Sequence, residues 1–118
     1  MGSTFKSASE WPEAEYRKVI SATLDRVAKS FEDVDPDQAE CELRFGILTI
    51  VFPNRTKIIL SAQPAVRQLW LALAAKGTAY HFGWDAALEQ WRDDKGRDIE
   101  VISMLRSVLA ESGIQVQL

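Results

Sequence analysis

The sequence predicts an α+β fold: a two-layer sandwich in which two helices pack on one face of an antiparallel sheet of five to seven strands. Three observations carry this expectation. Apolar residues recur at helical spacing near both ends of the chain, they alternate with a period of two through its middle, and the turns between the alternating runs are short. Short turns join antiparallel neighbours, because a parallel pair needs a long crossover. Each helix has one apolar stripe to bury, so both must cover the same face of the sheet, leaving the other face to solvent.

Residues 1–10 are small and polar without periodicity and read as a flexible leader, which leaves 11–118 as one domain. Pro12 suits a first helical position, Glu13 and Glu15 suit the dipole of a first turn, and Tyr16, Ile20, Leu24, Val27 and Phe31 share one stripe. A helix over about 12–33 follows, broken by Asp35-Pro36-Asp37 because proline disfavours helical geometry in the residue before it. Glu40, Glu42 and Arg44 then alternate with Cys41, Leu43 and Phe45, giving a strand with acids on its open face. Gly46 reverses the chain into 47–52, Pro53-Asn54-Arg55 turns it into 57–60, and Gln63-Pro64 opens the connection to a strand around Trp70. Lys76-Gly77-Thr78 leads to Tyr80-His81-Phe82, residues from Leu88 to Arg92 form a sixth candidate, and Asp93-Asp94-Lys95-Gly96 turns again. Ile99, Ile102, Leu105 and Leu109 return to helical spacing, with Gly113 as the stop.

The strand Gln68-Leu69-Trp70-Leu71-Ala72 forces a choice. Successive side chains face opposite ways, so if Leu69 and Leu71 are core, Trp70 is on the surface beside Gln68. A large aromatic held outward on a rigid strand has the make-up of an interface anchor. The reversed phase would make Trp70 core, and a loop of the chain itself could cover it; the bare sheet face expected above favours the outward, open reading.

Composition narrows the chemistry. The single cysteine, Cys41, excludes a disulfide framework, and with one histidine the chain cannot by itself hold an iron–sulfur cluster or a structural zinc. Neither a membrane-length apolar run nor a signal-peptide core is present, and Lys6 stands where a myristoylation motif needs Ser or Thr, so a soluble cytoplasmic protein is expected. Net charge is −3, yet six acids and no base lie between Glu32 and Glu42. Such a patch repels phosphate backbones and attracts cations or a basic protein surface, which argues against nucleic acid as a partner.

Catalytic constellations are lacking. His81 has no nucleophile near it in sequence and, by alternation, sits on the open face, while the glycines form neither a phosphate loop nor a dinucleotide fingerprint. Carboxylate is the remaining resource. Asp25 and Glu32 fall on nearly the same face of the predicted helix, Asp33, Asp35 and Asp37 continue from its end, and Glu40 and Glu42 follow on the adjoining strand. Hard oxygen donors on an open ridge suit iron, calcium, manganese or magnesium at low affinity. An EF-hand is excluded by the missing central glycine and ligand register.

Taken together, the acidic first helix and turn, Cys41-Glu42-Leu43, Gly46-Ile47-Leu48-Thr49-Ile50, Lys57-Ile58-Ile59, Gln63, Gln68-Leu69-Trp70-Leu71-Ala72, Gly77, Tyr80-His81-Phe82 and Trp91 resemble the frataxin family in its bacterial form, over about 16–112. The resemblance implies a frataxin-like sandwich and a role in iron–sulfur cluster assembly. Such a protein would bind ferrous or ferric iron weakly at its surface, hold no haem, and dock on the cysteine desulfurase and scaffold assembly. It implies that Trp70, Gln68 and Gln63 face the partner and that Glu32, Asp33, Asp35, Asp37 and Glu40 form the acidic ridge.

Ala28 and Lys29 stand where bacterial relatives carry acids, Ser61 replaces an asparagine, and Pro64 comes one residue early. Lys18 and Lys29 therefore dilute the helical part of the ridge, which tells against tight or multiple iron binding. The expected protein is a non-enzymatic, monomeric regulator, with weak ferroxidase activity and iron-dependent oligomers left open. The alternatives are a ferroxidase or iron-storage protein, and a metal-independent acidic interaction module.

Overall fold

In the computed structural model, which describes residues 10–118, the elements run α1 (Glu13–Ser30), β1 (Glu40–Arg44), β2 (Ile47–Val51), β3 (Lys57–Gln63), β4 (Gln68–Leu73), β5 (Thr78–Asp85), β6 (Gln90–Asp93) and α2 (Val101–Glu111). Apart from Glu10, the expected leader over 1–10 lies outside the described residues. The six strands form one sheet in sequence order, every neighbouring pair antiparallel. The expected sandwich is the observed one. Tyr16, Ile20, Leu24 and Val27 of α1 and Val101, Ile102, Leu105 and Leu109 of α2 are buried in the same core as the helix-facing residues of the strands.

Strand parity sets what each face carries. In β4, Leu69, Leu71 and Leu73 are buried while Gln68, Trp70 and Ala72 alternate with them on the open face. Leu69 and Leu71 have no exposed surface, and burying each contributes about 1.5–3 kcal/mol. Cys41 and Leu43 point to the core side but are only half-buried, because β1 is the edge strand and has one neighbour. Burial pushes the Cys41 thiol up to about 11, which leaves it protonated and unreactive at neutral pH.

Three expectations need correction. The first helix ends at Ser30: Phe31 keeps the apolar spacing and is buried, but its N–H and that of Glu32 bond three residues back, to Ala28 and Lys29, in a tightened final turn. Phe45 is not a core-facing strand residue. It occupies the hairpin turn with φ +48° and is fully exposed, since Gly46 needs a partner of positive φ to close a two-residue reversal. The sixth strand begins at Gln90, and Leu88 lies in the preceding turn, more than half exposed.

One aromatic cluster was not foreseen. Trp11 stacks on Trp84 at 6.2 Å and meets Tyr16 edge-on at 5.5 Å, while Trp91 lies within 6.1 Å of Trp11, Tyr16 and Trp84. Thr23 Oγ1 accepts from Trp91 Nε1 at 2.9 Å, so α1 is fixed to the β5–β6 end of the sheet by packing and by a hydrogen bond.

Candidate functional site

The open sheet face carries the first half of the candidate site. Trp70 on β4 stands opposite His81 on β5, and the two rings stack with centroids 4.2 Å apart and planes 15° from parallel. Trp70 Nε1 donates to Gln68 Oε1 at 2.7 Å, and Gln68 Nε2 donates in turn to Asp94 Oδ2 at 3.0 Å. The chain from indole to amide to carboxylate, together with the stack, holds the half-buried Trp70 in one orientation. A pre-set aromatic loses little freedom on contact with a partner. Gln63 stands opposite Gln68 at the end of the β3–β4 pair and donates from Nε2 to Ser61 Oγ at 3.2 Å. Thus Trp70, Gln68 and Gln63 are brought to one end of one face, and His81 joins them.

The loop that positions the two glutamines is fastened from below. Tyr16 Oη, on α1, accepts from the backbone N–H of Gln63 at 2.9 Å and donates to the carbonyl of Gln68 at 2.6 Å. Burial pushes this phenol up to about 12, so it remains a donor across the physiological range. Arg67, in a left-handed conformation at φ +54°, donates from Nε to the Trp11 carbonyl at 2.8 Å and from its guanidinium to the Pro64 carbonyl. Beside His81 the next turn is held by Asp93, which is 1 % exposed and accepts from Arg97 Nε at 3.0 Å and Nη2 at 2.7 Å, and from the N–H groups of Lys95 and Arg97. The Arg97 guanidinium holds the Asp93 carboxyl below the usual carboxylate range and lies 4.9 Å over the Tyr80 ring. In sequence, Tyr16, Arg67 and Asp93 read as a core aromatic, a loop base and a turn acid; only the tertiary pairing reveals their positioning roles.

The carboxylates form the second half. Asp25 is exposed on α1; Glu32 and Asp33 follow the helix end; Asp35 and Asp37 sit in the turn before β1; Glu40 and Glu42 lie on the open face of β1. Because α1 stops at Ser30, Glu32 does not share a helical face with Asp25 as expected. Asp35 Oδ1 accepts from the Asp37 N–H at 2.9 Å, and Glu42 pairs with Arg44 at 3.0 Å.

All seven are solvent-exposed, and among the described residues no three His, Cys, Asp or Glu side chains converge as a metal centre would require. The donor set suits a hard cation, and the open arrangement suits weak surface association in which water completes the coordination. From β1 to β4 is three strand spacings, about 14 Å, so one partner of ordinary interface size can cover acids and Trp70 together. No helix of the described residues is long and apolar enough to cross a membrane.

Comparison with known proteins agrees with this fold. The model of the frataxin-like domain family matches residues 9–113. The iron–sulfur cluster assembly protein CyaY of Pseudomonas aeruginosa is 34% identical over 105 residues, covering 89% of this chain and 94% of that protein. The protein of the same name from Pseudomonas fluorescens strain Pf0-1 is 36% identical over 86 residues, covering 73% and 76%. Among solved structures, frataxin from Psychromonas ingrahamii superposes with a TM-score of 0.77 at 20% identity over 91% of this chain and 97% of that one. Yeast frataxin does so with a TM-score of 0.64 at 21% identity, over 91% and 89%.

Proposed function

The chain belongs to the frataxin-like domain family, and from that premise we propose that it acts in iron–sulfur cluster assembly as a non-enzymatic regulator that docks on the cysteine desulfurase and scaffold assembly. The observation that carries the reading is Trp70, turned outward on β4, stacked on His81 and hydrogen-bonded to Gln68. Its ring is oriented before a partner arrives, and an oriented aromatic on an open sheet face is the usual centre of a binding hot spot. The acids of the 32–42 segment supply the complementary half: they draw in a basic surface and speed the encounter.

Iron enters this function as cargo or signal, held weakly. Glu32, Asp33, Asp35, Asp37 and Glu40 offer hard oxygen donors without enclosing an ion, so the exchange of a loosely held ion fits them better than storage. Ferroxidase chemistry would need two irons brought together by shared ligands, for which the separated carboxylates are poorly suited.

A metal-independent reading is favoured by one observation, the pairing of Glu42 with Arg44, which marks part of the ridge as a protein-facing charge pattern. The deciding experiment is an anaerobic pull-down of the desulfurase assembly with and without ferrous iron, alongside calorimetric titration of the chain with ferrous ion. Capture that depends on Trp70 supports docking, and measurable iron binding separates the iron-responsive regulator from the metal-independent module. No capture under either condition defeats the docking reading.

A further inference from the structure

We propose that Phe45 and Ile47, at the tip of the β1–β2 hairpin, form a second anchor of the partner-facing surface, one that enters an apolar pocket on the partner protein with basic side chains on the side that faces β1. This rests on the docking reading above. Phe45 is 100% exposed and Ile47 48%. The turn residues Phe45 and Gly46 have φ of +48° and +76°, the two-residue reversal in which Asn or Asp before Gly is favoured and a bulky side chain is an outlier. Phe45 therefore burdens the fold twice, in its backbone and in a ring left in water, and its ring stacks on no other ring among the described residues. A strained, bare aromatic at a hairpin tip has its compensation outside the fold.

The tip is also rigid. The Gly46 carbonyl accepts from the Ala62 N–H at 2.8 Å, and a Cβ at position 46 would stand 3.3 Å from that of Ala62, so the hairpin sits tightly on β3. Arg44, Ile47, Ser61, Trp70 and His81 follow one another in register across the sheet. Ile47 is thus two strand spacings, about 10 Å, from Trp70, and one interface can hold both anchors.

Charge identifies the occupant. Six acids and no base precede the tip between Glu32 and Glu42, and of these only Glu42 has an ion pair among the described residues. Beside the tip Glu42 is paired with Arg44, and the unpaired acids lie from Glu40 back into the turn before β1, so the partner that seats the apolar tip carries its Lys/Arg side chains on the side toward the start of β1, a pattern that phosphate-bearing surfaces do not offer.

The test substitutes Phe45→Asn, which the turn geometry favours, and measures anaerobic affinity for the purified desulfurase–scaffold assembly beside wild type and Trp70→Ala. Melting and sedimentation of each free chain accompany it. Phe45→Asn is expected to weaken binding at least tenfold, with a melting temperature equal to or above that of wild type and no change in sedimentation. Wild-type affinity in Phe45→Asn, with binding lost in Trp70→Ala, overturns this anchor and leaves the docking reading standing. Absence of wild-type binding removes the docking reading and the anchor with it, whereas full affinity in both variants overturns the anchor and moves docking off this sheet face. A wild-type dimer abolished by Phe45→Asn assigns the tip to a second copy of the chain and likewise overturns the proposal.

Discussion

The Tyr16 hydroxyl, on the buried face of α1, donates to the Gln68 carbonyl at 2.6 Å while accepting from the Gln63 N–H, so one core side chain sets the spacing of two residues of the candidate docking surface. The consequence is a coupling between core and surface that a substitution can sever without touching the surface itself.

Tyr16→Phe keeps the ring packing and strands the Gln63 donor and the Gln68 acceptor. The expected loss is about 1–3 kcal/mol by urea unfolding. Burial raises the phenol's folded value to about 12, above the ordinary value near 10, so the neutral form is the one the fold favours. Its contribution is therefore complete below about pH 10 and is lost as pH rises toward 12. Wild type should lose stability over that window while Tyr16→Phe stays flatter. Parallel curves would show that the hydroxyl is not desolvated.

Asp93 behaves with the opposite sign. Arg97 depresses its folded value below the ordinary ~4, so its contribution is present above about pH 4 and lost as pH falls through the depressed value. Asp93→Asn should cost about 1.5–3 kcal/mol at pH 7, the figure for charged hydrogen bonds and no more, because half-exposed Arg97 retains solvent. Acid titration followed by circular dichroism should show a shallower low-pH decline in Asp93→Asn than in wild type. A steeper one would mean that other carboxylates dominate acid unfolding.

Where each expectation stood or failed follows from what a local pattern can report. The leucines of β4 fixed the outward phase of Trp70 because alternation is local. Phe31 misplaced the end of α1 because a buried aromatic at helical spacing looks the same in an α-helix and in a final 3₁₀ turn. Phe45 misled because alternation continues through the turn that Gly46 closes. Asp93 lies in an Asp-Asp-Lys-Gly run that reads as solvated, and only the folded chain brings its carboxylate under cover with Arg97. The meeting of Trp11, Trp84 and Trp91 joins the start of the chain to its far strands, a relation outside the reach of any sequence window.

The ridge acids divide by structure. Among the described residues the Asp33 and Asp37 carboxylates accept no hydrogen bond that a lysine would remove, and Asp33 follows the negative end of α1. Asp33→Lys and Asp37→Lys should each raise stability by a few tenths to about 1 kcal/mol at low salt while weakening ferrous-ion and desulfurase binding. Asp35→Lys should gain less or lose, because Asp35 Oδ1 accepts from the Asp37 N–H. Melting at low and high salt separates the cases, and equal gains at all three positions would show that the Asp35 turn contributes nothing.

Trp70→Ala provides the sharpest division between fold and function. Leu69 and Leu71 are fully buried whereas Trp70 lies on the open face, covered in part by His81. Truncating Trp70 should therefore cost under about 1.5 kcal/mol of stability, against about 2–5 for Leu69→Ala or Leu71→Ala. It also releases Gln68 from the indole N–H and leaves His81 unstacked, so the His81 ring resonances should move downfield as the indole ring current is lost, without loss of fold. Desulfurase affinity should fall by about 2 kcal/mol or more, since an oriented aromatic at an interface centre commonly carries that much. Urea unfolding and anaerobic calorimetry on the same samples give both numbers. A large stability loss with intact binding would make Trp70 a structural residue and would leave the open sheet face without its anchor.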